Sequence, residues 1–244
     1  MRKKLTISLV FFICVVETFS AIVYSPVANA APAVHYNFNP KYHFPQKWFK
    51  PPISARLSHL SGRDKSDMKK VVKKFLSKYP ARMINENLRG IYFFRVLRFW
   101  NRKFGGSYWN GHILVKYDSN YNTSGYLVKA LHHEFSSVLL KKHYFNVSAW
   151  TANNGGSYTS REEGKDFLLT GRDGHREKKQ LFREGFVTVY GKCDWENDVN
   201  IYAEYLFARP ARLKYIASKY PRVKAKVRLL KKYYCGINNN FNFC

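Results

Sequence analysis

The stretch from Leu127 to Leu140 restricts this chain more than any other. Leu127, Leu131, Phe135 and Val138 recur at steps of three and four, the spacing of one buried stripe on a helix. Thr123 or Ser124 is placed to cap its start, just ahead of Gly125. The same stretch carries His132, His133 and Glu134 in a row. A fold that buries this helix must therefore supply partners for an imidazole and a carboxylate, because neither is buried cheaply alone.

On such a helix His133 and Ser137 lie one turn apart on one face, with Glu134 beside them. A histidine at 137 would complete H-E-x-x-H, in which two imidazoles hold Zn²⁺ and the glutamate takes a proton from metal-bound water. Serine is a poor zinc ligand, so three outcomes stay open. Another histidine, His143 or His112, replaces it; a weak site forms from His133, Glu204, water and Ser137; or no metal binds. A plainer reading makes His133 a core histidine bonded to Glu204. Glu134 is then the partner of Lys129 or an arginine, and Ser137 a small residue where two helices touch. His132 is expected to point outward or into contacts behind the site.

Read in order, residues 1–30 form a secretory signal peptide: Arg2, Lys3 and Lys4, then a mostly apolar run, then Ala28-Asn29-Ala30. An uncleaved anchor is the alternative. Export places Cys193, Cys235 and Cys244 in an oxidising compartment. Three cysteines cannot all pair within one chain; Cys235 with Cys244 is the expected bridge, and Cys193 with either is the alternative. Residues 31–57, with Pro40, Pro45, Pro51 and Pro52, read as an extended arm leaning aromatics on a neighbour, with His35 and His43 at the surface. The main domain spans 58–234 and an Asn-rich tail spans 235–244.

Within that domain, Ser66 to Tyr79 predicts an amphipathic, lysine-covered helix. Gly90 to Phe99 and His112 to Tyr117 predict strands, and 147–164 reads as a polar loop. Gly185 to Gly191 reads as a strand or extended turn. It leads into a helix capped at Asn197 or Asp198 in which Glu204 falls among Val199, Tyr202, Ala203, Leu206 and Phe207. A glutamate so placed calls for a metal, an arginine or a hydrogen-bond cluster. Glu196 and Asp198 are weaker rivals for that role, since both suit the start of the helix. A last basic helix covers Arg222 to Tyr234.

Three segments taken together are similar to the zinc-binding metallopeptidases of bacteria: H-H-E-F at 132–135, G-F-V-T-V-Y-G at 185–191 and Y-A-E at 202–204. The resemblance covers roughly residues 70–215 and departs from the family pattern at Ser137. It implies an α+β, zincin-like domain with a small mixed sheet, a central active-site helix and a helical C-terminal part. It further implies His133 and Glu204 as zinc ligands with Ser137 at the vacant ligand position. Glu134 would be the general base, Tyr190 would stand near a reacting oxygen, and the substrate would be a peptide or protein.

The chain carries 42 basic and 16 acidic side chains, a formal charge of +26. That field attracts polyanions, so the rival reading is a non-catalytic secreted protein that binds an anionic polymer or membrane surface. Secretion disfavours a nucleic-acid partner, although Arg95 to Lys103 interleaves basic and aromatic residues. Neither a Gly-rich phosphate loop nor a G-x-S-x-G elbow occurs.

Overall fold

Every strand among the described residues falls between Ala33 and Lys116. The computed structural model describes residues 31–36, 38–60, 65–117, 124–159 and 174–244. The signal peptide read over 1–30 and the candidate cap Thr123 lie outside the described residues. The strands are β1 (Ala33–His35), β2 (Arg56–His59), β3 (Gly90–Phe99), β4 (Arg102–Lys103), β5 (Gly106–Trp109) and β6 (His112–Lys116). The helices are α1 (Pro40–His43), α2 (Lys65–Leu76), α3 (Ala81–Asn87), α4 (Ser124–Lys142), α5 (Val147–Thr151), α6 (Lys179–Arg183), α7 (Trp195–Ala208), α8 (Pro210–Lys219) and α9 (Pro221–Ile237). The result is a mixed sheet of six strands with nine α-helices among the described residues.

β3 is the centre of the sheet. β6 pairs with it in parallel, from Gly90↔His112 to Phe94↔Lys116, and β5 pairs antiparallel with β6 at the edge. β1 pairs with β3 in parallel, whereas β2 and β4 pair with it antiparallel. Side chains alternate across a strand, and here both faces are covered, which is why β3 reads as an apolar run. Ile91, Phe93, Ile113 and Val115 enter the helical core. Tyr92, Phe94 and Leu114 enter a second core with Phe38 and Phe44. Residues 31–57 thus supply β1, α1 and the start of β2, and their aromatic side chains cover the outer face of the sheet. The β5–β6 hairpin turns at Asn110-Gly111, both at positive φ (46° and 76°), as a tight two-residue turn requires.

α4 crosses the inner face of the sheet, with Leu127, Leu131, Phe135 and Val138 all buried as their spacing predicts. α2 and α7 pack against it, and α8 and α9 follow, each opening with proline in its first turn. Three local expectations are corrected. The segment Gly185 to Gly191 is not a strand: it is a chain of turns ending in a 3₁₀ turn at Tyr190–Lys192. Gly185 sits at φ 85°, where an added Cβ would come within 2.6 Å of the Asn153 carbonyl oxygen, so close packing sets this backbone. The stretch read as a polar loop contains α5, capped by Asn146, whose side chain accepts the Ala149 N–H at 2.9 Å. α7 starts earlier than expected, because Asp194 caps it and accepts the Asn197 N–H at 2.8 Å. Cys235 and Cys244 form the expected disulfide, and Cys193 is buried and free.

Candidate functional site

α4 and α7 meet through two polar rungs. His133 Nδ1 lies 2.8 Å from Glu204 Oε1, and both side chains are buried. One turn further along α4 and one turn back along α7, Asn200 Nδ2 donates to Ser137 Oγ at 2.7 Å. Matching steps of four in opposite directions are what antiparallel helices with 3.6 residues per turn produce. The Glu204 that sequence reasoning found among apolar positions therefore has its partner, and that partner is His133.

Glu134 occupies the next position, toward the sheet edge. Its carboxylate packs on Gly106 of β5, where an added Cβ would fall 2.3 Å from Oε1. A side chain at 106 would have to push the carboxyl out of this place. Burial, reinforced by Glu196 and Glu204 and opposed by His133, raises the Glu134 pKa to about 7. Burial alone would lower the His133 pKa, but the bond to Glu204 and the charge of Glu134 outweigh it and bring His133 to about 9. The Tyr190 ring stacks 5.7 Å from the His133 ring at 24°, and its hydroxyl is held well above its ordinary pKa by burial and by Glu134. His133, Glu134, Tyr190 and Glu204 thus gather in one place, with Ser137 one turn away. The set holds an imidazolium–carboxylate pair beside a carboxyl that titrates near neutrality.

The other candidates lie elsewhere. His132 does not point outward: it is fully buried, bonded to the Tyr79 hydroxyl at 2.8 Å, and burial lowers its pKa to about 3. His143 lies 2.8 Å from Asn87 Oδ1 and does not return to the site. His112 stacks on Trp109 and neighbours Tyr92, a member of the outer core, so it cannot stand in for Ser137. Asp198 accepts from Trp150, Tyr158 and Lys226 in a separate buried cluster. Burial lowers the Lys129 pKa, opposed by the charges of Glu204 and Glu177.

Asn200 and His175 carry no role in the sequence reading, and Gly106 is read there only as part of a turn. Asn200 stands four before Glu204, a spacing that mirrors Ser137 and His133 and could have signalled the second rung. Gly106 seats Glu134. His175 places its ring 6.3 Å from Tyr126 and 6.2 Å from Tyr190, within the field of Glu204 and His133.

The donor set is short for a metal of the catalytic zinc type, which needs three protein ligands and an open position. His133 Nδ1 is engaged by Glu204 and Ser137 Oγ by Asn200, so a metal would find, among the described residues, only the Nε2 of His133 and the buried, unpartnered Oε2 of Glu204. Among the described residues no group of three or more His, Cys, Asp or Glu is arranged to hold a metal ion. No family model matches the sequence, and no curated protein matches it. The fold does have a counterpart: the chain is similar to a crystal structure described as a "putative zinc-binding metallo-peptidase" from Bacteroides caccae. The TM-score is 0.56 at 17% identity, over 85% of this chain and 80% of that one, a likeness of fold.

Proposed function

We propose that this chain is a degenerate relative of a zinc peptidase, one that keeps the helix pair and the acid–base residues without a complete ligand set. The observation that carries the proposal is the Asn200–Ser137 hydrogen bond at 2.7 Å. It fills the position one turn beyond His133, where a second imidazole would have to project. The neighbour of like fold is described as zinc-binding and as a metallo-peptidase, which supports zinc and peptide hydrolysis as the chemistry this site has departed from. Glu134, with a pKa near 7, is what survives of a general base. The leader-like residues 1–30 and the Cys235–Cys244 disulfide support a role outside the reducing cytoplasm. No described helix is long and apolar enough to cross a membrane.

The test compares wild type, Ser137→His and the double variant Ser137→His/Asn200→Ala in zinc titrations against a competing chelator. Wild type is expected to bind zinc weakly, and the double variant at least about a hundredfold more tightly, since each imidazole ligand adds kilocalories of binding. The single variant should gain less, because Asn200 still crowds the position. Stoichiometric zinc in the wild-type protein, with peptide hydrolysis that Glu134→Gln abolishes, would overturn the proposal.

A further inference from the structure

The last forty residues, 205–244, contain ten lysines and arginines and not one aspartate or glutamate. Much of that charge is carried by α9. Its apolar side, with Val223, Leu230 and Tyr234, is buried in the core. On its outer side Lys224, Arg228 and Lys232 are all exposed, at successive steps of four. Each step is about 6 Å along the helix axis and about 40° around it, so the three cations form a row slanting across one side. None of the three has an acidic partner among the described residues. Nearby basic residues are differently engaged: Arg212 is paired with Glu177, Lys219 sits 4.5 Å over the Tyr215 ring, and Lys231 sits 5.1 Å over Phe243.

Like charges at i and i+4 destabilise a helix, and an exposed helix ordinarily interleaves acids among its bases. A row with none is a surface whose counter-charge comes from outside the chain. We infer that the outer face of α9 binds a linear anionic polysaccharide, carboxylated or sulfated, laid along the helix. The row itself favours this occupant. α9 presents no exposed large apolar side chain, the element that a helix lying in a membrane interface pushes into the acyl boundary. It presents no exposed aromatic ring on which bases could stack. What remains is charge spaced at regular intervals, which suits a polymer of repeating anionic units. This inference is independent of the reading of the α4–α7 site.

The experiment measures affinity for heparin oligosaccharides as a function of sodium chloride concentration. Lys224→Gln/Arg228→Gln/Lys232→Gln is compared with a control of equal charge change on α2, Lys69→Gln/Lys70→Gln/Lys73→Gln. The α9 variant should lose at least tenfold in affinity, and its log–log salt slope should fall by about two. The α2 control should lose less than threefold. Lys224→Arg/Lys232→Arg should bind as wild type does, and the α9 glutamine variant should melt at or above the wild-type temperature because repulsion has been removed. Equal losses from both glutamine variants would reduce the effect to net charge and overturn the inference. Tighter binding to phosphatidylserine vesicles or to a single-stranded oligonucleotide at the same salt would overturn it as well.

Discussion

His133 illustrates how one partner decides the behaviour of a buried residue. Burial pushes the imidazole toward its neutral form; the bond to Glu204, helped by the charge of Glu134, outweighs it and sets the pKa at about 9. Replacing Glu204 with glutamine should lower the His133 pKa by about one to two units, the equivalent of losing one charge-assisted hydrogen bond. Titration followed by NMR of the histidine ring protons measures this directly, and an unmoved pKa would contradict the pairing. The stability effect has a definite sign. A folded pKa raised above 6.5 contributes stability that is fully present below pH 6.5 and is lost as pH rises through about 9. The gap between wild type and Glu204→Gln in urea denaturation should therefore be widest below pH 6.5 and narrow toward pH 9. The His133–Glu204 rung was legible in the sequence because a glutamate among core positions demands a specific partner. The Ser137–Asn200 rung was not. Small polar side chains have many ways to be satisfied, and the two lie 63 positions apart.

At the level of elements, the packing of α7 against α9 is pinned by a buried ion pair. Lys226 Nζ donates to Asp198 Oδ2 at 2.6 Å, both side chains are wholly inaccessible, and the ammonium lies 4.6 Å from the Phe186 ring centre and 5.0 Å from that of Trp150. Lys226→Met should destabilise the protein by about 3–5 kcal/mol, because it takes the counter-charge from a buried carboxylate that keeps only the Trp150 and Tyr158 donors. Lys226→Met/Asp198→Asn should recover a substantial part of that loss in urea denaturation, and simple additivity of the two single effects would refute the pairing. The arm offers a second measurement at this scale. His35 stacks on Tyr92 at 4.1 Å, His43 Nδ1 lies 3.2 Å from the Tyr92 hydroxyl, and His112 lies 5.5 Å from the same ring. Burial and mutual repulsion lower the pKa of His35; burial, with Arg89 and His35 nearby, lowers that of His112. A lowered imidazole pKa gives stability that is present above pH 6.5 and drains away as pH falls below it. Amide protection factors in residues 38–60 should therefore drop between pH 7.5 and pH 5 relative to those of α4; parallel behaviour of the two regions would argue against it. The strands and long helices were readable from periodicity. The turn run Gly185 to Gly191 was not, because its β-forming residues are bent by contacts with distant segments such as Asn153.

Across the whole molecule, charge is sorted by depth. The formal charge is +26, and Glu134, Asp198 and Glu204, three of the nine acids among the described residues, are buried, so part of the charge that could offset the surface is hidden from it. The outer side of α2 repeats the pattern, with Lys69, Lys70, Lys73 and Lys74 exposed and Asp67 the only acid in the helix. A shell of one sign repels itself, and salt relieves that repulsion as the screening length falls from about 30 Å at 10 mM to about 8 Å at 150 mM. Surface ion pairs would respond the other way, but among the described residues they are few, such as Arg82–Glu86 and Arg212–Glu177, and exposed pairs are weak. Repulsion should win. The melting temperature should rise by several degrees between 10 mM and 150 mM sodium chloride, since about 1 kcal/mol shifts a chain of this size by about 2–4 °C. Scanning calorimetry at fixed pH provides the measurement. The Lys226–Asp198 pair, out of reach of counter-ions, should keep its coupling across the same range, so a double-mutant cycle at both salt concentrations separates the screened shell from the unscreened core. A melting temperature that stays flat or falls with salt would mean that attractive pairs outweigh the lysine-rich faces, and the unpaired row on α9 would then have to find its partners within the chain.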